Sequence, residues 1–536
     1  MRNVFTRSLG LLALAASLST LSTSCTKDLD QNPDFLASNP DVLYASPAKI
    51  SQLLSRLYAT YAVSGQDGPN GGSDITGIDG GFSNYIRTYW QLQEITTDEA
   101  ILGWNDGNLP AINTNTWNAD NEFVRATFQR IYFQIGLCNE FIKQTSDANL
   151  TKRGIAEKDA AGIRTYRAEA RLLRALSYWH ALDLFGGGPF ITENDNLVIS
   201  NVPPYKKGAD MFTYVESELK ALDAGADLME PRAVYGRGDK ALCWTLLTKL
   251  YLNAKVYTGT DRSTDALTYA DKVLSKGGYS LAPTYANLFL ADNNKTSANE
   301  SIFTIAFDGI NTQSYGGMTY LVHAPVGRAV TPASAGINSG WGGLRTKPQL
   351  VNLFPGGADG GADARQALFF TKGQNRNVDT LSQFSSGILV TKFRNVTSTG
   401  VVGSDPSGTF ADTDFFMFRL ADVKLMYAEA LLRGATGGTS GTAADQVNEV
   451  RARSKAAPLG TVTLDDVLNE RGRELFWEGH RRTDLIRFGK YVSGYNWPFK
   501  GGAKDGKDIE AFRTLFPIPN TERVLNSGLP QNPGYN

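Results

Sequence analysis

Between residues 158 and 185 the side chains Ala168, Leu172, Ala175, Leu176, Trp179 and Leu182 recur at three- and four-residue spacing, the period that puts them on one stripe of an α-helix. Gly186-Gly187-Gly188-Pro189 follows at once and stops the helix there. A helix with an apolar stripe must lay it on a neighbour. The same period marks Ile50, Leu53, Leu54, Leu57, Tyr58 and Tyr61, and it predicts further helices over 120–145, 209–223, 238–257, 263–275, 415–433, 441–454, 464–478 and 483–491. Several are consecutive and carry small residues where partners would cross, such as Ala241, Ala254, Ala266 and Ala270. That is a tetratricopeptide-like pattern of irregular period, in which each helix pair completes its core only by stacking on the next. The fold class expected is mainly α, a helical scaffold with degenerate helix pairs over 120–275 and 415–491 inside one body, 48–536.

Two stretches break the pattern, 66–118 and 280–413. Both are rich in Gly, Ser, Thr, Asn and Asp with aromatic residues scattered among them, and only short strands, near 301–306 and 388–393, are expected in the second. Loop-rich insertions on a stiff frame are where binding residues concentrate, so the two are expected to share a face. The chain as a whole is 11% aromatic with 54 Gly.

The first 24 residues read as an export signal, with Arg2 and Arg7 flanking an apolar run too short to span a bilayer. Cys25 follows Ser22-Thr23-Ser24 as in a bacterial lipobox, although Ser22 stands where an aliphatic residue is usual. Acylation, palmitate included, would place the lipid on Cys25, and residues 25–47 would form the tether. Several acyl chains hold firmly, since each buried methylene contributes about 0.8 kcal/mol. The alternative is a secreted protein with an unpaired Cys25. Cys138 and Cys243 fall in apolar helical stretches and read as core thiols, so no disulfide framework is available. With a net charge of −1, neither a nucleic-acid surface nor a basic membrane patch is expected.

Signals for catalysis are sparse. The three histidines, His180, His323 and His480, are too far apart in sequence for a helical zinc pair, and no Cys pair at metal-finger spacing, nucleophile elbow or phosphate loop occurs. Glu193-Asn194-Asp195-Asn196 offers oxygens without the spacing of a calcium loop and reads as a solvated turn. No metal and no cofactor is expected. Two carboxylates could serve a glycosidase, and the candidates are Asp98-Glu99 and the row Glu470, Glu474 and Glu478. Arg471, Arg473, Arg481 and Arg482 surround that row, and guanidinium groups hold carboxylates ionised where an acid catalyst needs a raised pKa. Structural ion pairing is the expectation there.

Sugar recognition asks instead for flat aromatic faces beside planar polar groups, each contributing about 0.5–1.5 kcal/mol, so that several must act together. Trp104-Asn105-Asp106-Gly107-Asn108 and Asn338-Ser339-Gly340-Trp341-Gly342-Gly343 each put an indole beside polar groups in a turn. The candidate ligand-binding set is Trp104, Asn105, Asp106, Trp341 and Asn338, with Tyr85, Tyr315 and Tyr320 as additions. The competing reading is a loop Trp folded back onto the body. Trp179, Trp244 and Trp477 lie on helical stripes and are assigned to the core.

Three stretches resemble the SusD/RagB outer-membrane lipoproteins: Tyr89-Trp90-Gln91-Leu92-Gln93-Glu94-Ile95-Thr96-Thr97-Asp98-Glu99; Arg167-Ala168-Glu169-Ala170-Arg171-Leu172-Leu173-Arg174-Ala175 with Leu184-Phe185-Gly186 and Pro189; and Phe418-Arg419-Leu420-Ala421-Asp422 through Ala430, with Glu470-Arg471, Glu474-Leu475, Glu478-Gly479, Arg481 and Asp484 to Arg487. The resemblance implies a lipid-anchored protein on the outer membrane, exposed at the cell surface. Such a protein binds glycan oligosaccharide without cleaving it and delivers it to a SusC-like TonB-dependent transporter. The RagB branch implies peptide cargo as an alternative, and a surface glycosidase is the rival from another class. The matching motifs mark the scaffold, whereas the loops that choose a ligand carry the least family signal.

Overall fold

The computed structural model describes residues 39–535 other than 70, 196–201 and 359. The export signal, Cys25 and most of the tether lie outside them, as does Asn196. The helices that frame the molecule are α1 (Pro47–Ala62), α2 (Tyr85–Trp90, continued by one π-helical turn, Gln91–Ile95), α3 (Glu122–Gln144), α4 (Glu157–Phe185), α5 (Gly208–Ala224), α6 (Lys240–Leu252), α7 (Ser263–Lys276), α8 (Gly317–His323), α9 (Leu420–Leu432), α10 (Ala443–Arg453), α11 (Leu464–Leu475) and α12 (Arg481–Arg487). Their ends follow local chemistry. Asn121 and Asp239 accept the first free N–H groups of α3 and α6, Thr442-Asp445 and Thr463-Asp466 form reciprocal capping boxes on α10 and α11, and Gly186 closes α4 in the left-handed conformation at φ +71°.

Each helix packs on its neighbour: α3 on α4, α4 on α5, α5 on α6, α6 on α7, α7 on α9, and α9 on α10 and α11. Ala241, Ala254, Ala266 and Ala270 are fully buried, as crossings of closely spaced helices require. Trp179, Trp244 and Trp477 are buried too, and Cys138 and Cys243 are free buried thiols. Because α7 packs directly on α9, the 280–413 insertion leaves the stack after one helix and returns to it at the next.

Among the described residues four short antiparallel pairs lie outside the helices. Two of them join the insertions to each other or to the frame, β1 (Ile101–Leu102) with β3 (Leu344–Arg345) and β2 (Ser301–Ile305) with β6 (Phe415–Arg419), while β4 (Phe369–Phe370) pairs with β5 (Leu389–Val390) inside the second insertion. The strand expected at 301–306 is therefore present, while that at 388–393 shrinks to two residues. Residues 415–419, expected as the start of a helix, form a strand instead. Phe415, Phe416 and Phe418 are buried on both faces of it, and aromatic runs of that kind suit a strand inside a core. The helix expected over 238–257 breaks at Asn253, whose side-chain amide donates to the Lys249 carbonyl. That expected to reach 478 ends at Leu475, because Phe476 turns to ψ 137° and Trp477 then takes φ +64°.

A buried charge network fixes both insertions to this frame. Glu470 and Glu474 on α11 and Glu478 beyond it are all buried. Arg365, from the 280–413 insertion, meets Glu470 at 2.7 Å and Glu474 at 2.9 Å. Arg419 at the end of β6 reaches Glu300 at 2.7 Å, Glu474 at 2.6 Å and Glu478 at 2.6 Å, while Lys392 meets Glu478 at 2.7 Å. Arg453 closes the circuit onto Glu300 and Glu474. These guanidinium and ammonium groups outweigh burial and hold the three carboxyls below their ordinary range, so structural ion pairing is found, but with partners other than those expected. Of Arg471, Arg473, Arg481 and Arg482 only Arg473 meets the row, at Glu470 (2.7 Å), while Arg471 pairs with Asp422 and Asp484 and Arg481 with Asp98.

The 66–118 region is tied to the same segment. Asp98 takes a two-pronged bond from Arg481, both contacts at 2.8 Å. Glu99 accepts the Trp477 N–H at 3.0 Å, and Glu94 accepts those of Gly479 and, at 3.0 Å, His480. Around the left-handed Trp477 the N–H groups of Trp477, Gly479 and His480 meet these acids while that of Glu478 donates to the Leu475 carbonyl, and the contacts made there hold a conformation unfavourable for a large side chain. The remaining Glu94 oxygen has no donor among the described residues and faces Glu99. Burial and then the Glu94 charge push Glu99 well up, so that its carboxyl keeps a proton to offer Glu94, while burial alone pushes Glu94 up to about 7 against the hydrogen bonds from Glu99, Gly479 and His480.

This network leads to two measurable outcomes. Glu474→Ala leaves Arg365, Arg419 and Arg453 buried around a missing charge, and chemical denaturation should show a loss of about 3–5 kcal/mol. The Glu94–Glu99 pair binds protons more tightly folded than unfolded, so its stabilising contribution is greatest below the ordinary glutamate pKa of 4.5 and is lost as the pH rises through about 7. Glu99→Gln, which keeps a donor for Glu94, should flatten that decline in a series of unfolding curves across this range.

Candidate functional site

The two loop-rich regions meet at β1 and β3, where Ile101 pairs with Arg345 and Leu102 with Leu344. Beyond the strands the Gly103 N–H donates to the Gly343 carbonyl at 3.0 Å. Trp104 and Trp341 therefore leave the same end of one strand pair. Their ring centroids lie 6.3 Å apart with planes inclined at 46°, and both rings are half-buried. This contact depends on Gly343. A Cβ there would lie 2.4 Å from Cε2 of Trp104, so the indole rests directly on the bare backbone.

Trp341 is backed by His323, whose ring lies 4.7 Å away at 31°. His323 Nδ1 faces the Ser339 carbonyl at 2.7 Å and Nε2 the Thr409 carbonyl at 2.8 Å, which fixes the imidazole between two loops. The Trp341 N–H donates to the His323 carbonyl at 3.0 Å. Asn338 is exposed, yet both bonds from its amide nitrogen go inward, to the Ser407 carbonyl at 2.9 Å and Thr409 Oγ1 at 2.8 Å. It braces the loop that presents Trp341.

Beneath Trp104 lies Tyr320, at 5.9 Å in an edge-to-face arrangement. Arg87 completes the floor, with Cζ 4.2 Å from the Tyr320 centroid, 4.1 Å from Phe82 and 5.7 Å from Trp104. Its Nη1 donates to the Gly81 carbonyl at 3.0 Å. The Gly81 N–H in turn donates to Asp79 Oδ1 at 2.8 Å, which brings an exposed carboxylate to the rim. Burial lowers the Arg87 guanidinium to about 10, with Tyr320, Asp79 and Asp106 opposing, so it is charged at neutral pH. Arg87 Nε has no acceptor among the described residues.

The sequence-derived set thus divides. Trp104, Trp341, Asn105 and Asp106 come together at an accessible rim, and half-buried Tyr315 joins them, its carbonyl accepting from Arg87 Nη1 at 3.5 Å and its ring against Phe410. Two members are corrected. Tyr85 is buried at the start of α2, its hydroxyl 2.7 Å from His180 Nδ1 and its ring against Tyr61, so no face of it is open. Tyr320 is fully buried and serves as floor, not as contact surface. Arg87, Asp79 and Phe82 were not in that set. Arg87 stands in Tyr85-Ile86-Arg87-Thr88-Tyr89-Trp90, a helical run without turn residues; its one signal is a lone charge among aromatics, one helical turn before Gln91.

The carboxylates considered for catalysis sit elsewhere. Asp98, Glu99, Glu470, Glu474 and Glu478 are all buried in the network, while Glu193 is held by Arg174, and Asp195 accepts from the Thr192 backbone and hydroxyl. Among the described residues no cluster of metal-ligating side chains is found, and no helix is long and apolar enough to cross a membrane.

A model of the SusD family matches residues 364–535. Over the full length of both chains, starch-binding protein SusD of Bacteroides thetaiotaomicron is 33% identical. This chain belongs to the SusD family. A SusD-like protein of Bacteroides ovatus is 27% identical over 72% of this chain and 69% of its own. Among solved structures, surface glycan-binding protein A of Bacteroides thetaiotaomicron, in complex with laminarihexaose, superposes with a TM-score of 0.66 over 90% of this chain and 99% of that one at 18% identity. Surface glycan-binding protein A of Bacteroides fluxus gives 0.69 over 91% and 99% at 17%. At these identities the likeness establishes the SusD-family fold. The segment matched by the SusD-family model contains Arg365 and the carboxylates of α11 but neither Trp104 nor Trp341.

Gly343→Ala should push the Trp104 indole off its seat. Its near-ultraviolet circular dichroism, which reports the coupling of the two indoles, should lose intensity while the far-ultraviolet helical signal is unchanged.

Proposed function

We propose that this protein binds an oligosaccharide without cleaving it, with the sugar seated on Trp104 and Trp341 and its hydroxyls met by Arg87, Asp79, Asn105 and Asp106. The observation that carries the reading is the indole pair, drawn from two regions more than 200 residues apart in sequence and held with accessible rings at one rim. Apolar faces of pyranose rings stack on such surfaces, and a planar guanidinium beside them suits vicinal hydroxyls. The 46° inclination favours a chain whose successive units turn relative to one another. An α-linked, coiling glucan does so and an extended ribbon does not, and the starch-binding relative supports the same choice.

The placement of the acids supports binding without cleavage. A general acid needs a carboxyl whose pKa is raised by burial against apolar surface. Asp79 and Asp106, nearest the rings, are exposed, and the buried acids lie inside the charge network. The export signal and Cys25 support anchorage by lipid to the outer membrane, facing outward. The family resemblance supports delivery to a TonB-dependent transporter, and a tether of this kind keeps the bound glycan at high local concentration near the transporter's mouth.

Titration calorimetry with maltoheptaose and laminarihexaose tests this. Maltoheptaose should bind the more tightly, and Trp104→Ala and Trp341→Ala should each weaken it about tenfold or more, with unfolding temperatures within about 4 °C of the parent. Unaltered binding by both variants, or release of reducing ends by the protein alone, contradicts the reading.

A further inference from the structure

Trp104 borders a second space. Trp104, but not Trp341, lines a groove of about 490 Å³ together with Asn105, Pro110, Asp379, Ser382 and Phe499, within the roughly 300–1,000 Å³ of small-molecule sites. Its outer wall, the loop around residues 379–386, is rigidly built. The Arg345 guanidinium, fully buried and with no carboxylate partner among the described residues, donates to the carbonyls of Leu381 at 2.6 Å, Gln383 at 3.2 Å and Ser386 at 2.9 Å, and also to that of Gly343 at 2.8 Å. One side chain thus joins the seat of Trp104 to the opposite wall of the groove.

Phe499 lines that groove under strain. Its backbone lies at φ +68°, ψ 1°, the left-handed region that a bulky residue avoids and a glycine occupies freely. Glycine stands close by at 501 and 502, so the turn could have been made without placing an aromatic ring at 499. Residues held in such conformations cluster at ligand clamps. Asp379 faces the same space. Its carboxylate accepts from Asn375 Nδ2 at 2.5 Å and meets Lys504 Nζ at 3.2 Å, which orients it while leaving the side chain nearly half exposed.

We propose that this groove is a continuation subsite for glycan, in which a sugar unit stacks on Phe499 and presents hydroxyls to Asp379 and Asn105, so that a chain seated on Trp341 and Trp104 runs on past the Trp104 edge. The proposal rests on the glycan-binding reading above and deepens it: the protein recognises the length of the oligosaccharide as well as its curvature. A ligand short enough to occupy only the indole pair never reaches Phe499.

The test is a calorimetric series with maltotriose to maltoheptaose on the parent, Phe499→Ala, Asp379→Ala and Trp341→Ala, each checked by thermal unfolding. The parent should gain about tenfold in affinity along the series, the change one added aromatic contact supplies. Phe499→Ala should bind maltotriose like the parent and lose the gain, and Asp379→Ala should lose part of it. Phe499→Gly, which relieves the left-handed strain, should behave as Phe499→Ala, separating loss of the ring from misfolding. Trp341→Ala should weaken every length alike. A parent affinity independent of length, or a gain that survives in both groove variants, overturns the subsite and leaves the indole site standing. No binding by the parent at any length overturns both.

Discussion

The row of buried carboxylates at Glu470, Glu474 and Glu478 is the interaction on which the rest of the molecule depends. Burying such charges is favourable only when every one is paired and hydrogen-bonded, and here the partners come from distant parts of the chain: Arg365 and Lys392 from the long insertion, Arg419 from the strand that re-enters the stack, Arg453 from α10. The next residues along the chain, Trp477 to Arg481, receive Glu94, Asp98 and Glu99 from the other loop-rich region. Two stretches with almost no regular structure of their own are thereby given fixed positions on a helical frame, through polar contacts whose directions allow little slippage.

What that anchoring achieves becomes visible at β1 and β3. Two residues of pairing on each side would hold nothing in isolation; between regions already fixed, they set the register that brings Trp104 over Gly343 and beside Trp341. The same economy extends outward. Arg345 follows Gly343 by two residues and carries the order of the strand pair into the 379–386 loop, while His323, clasped between two carbonyls, supports the opposite indole. A stiff floor of Arg87, Tyr320 and Phe82 lies below. A platform organised before its ligand arrives loses little conformational entropy on binding.

Much of this was legible in the sequence, and what was not has a physical explanation. Helical period and breakers locate the frame, and the charge-rich run around Glu470 and Glu474 marks the row as paired, although partners other than Arg473, such as Arg365, Arg419 and Arg453, are distant in sequence. The tryptophans stood out because glycine flanked them. Residues 415–419 are ambiguous in sequence because their apolar side chains fit a helical stripe as well as a doubly buried strand, and only the partner strand at Ser301–Ile305 decides between them. Tyr85 and Tyr320 are buried where sequence points to the surface, because an aromatic residue near a glycine-rich stretch looks the same whether its ring faces solvent or the core. Arg87 is hidden in sequence for the complementary reason: a charged residue inside an aromatic helical run carries no turn or glycine to mark it, and its worth comes from tertiary neighbours contributed by 79–82 and 320.

The central claim, that anchored loops present one preformed glycan platform, is tested most directly by hydrogen–deuterium exchange with and without maltoheptaose. Slowed exchange should be confined to the segments around residues 79–87, 101–106 and 339–345 and to the adjoining groove segments around 379–386 and 499, with the helical stack unchanged. Protection appearing instead on another face, such as the polar groove between Lys143 and Glu218, or spreading through α3 to α7 as the frame rearranges, would contradict it.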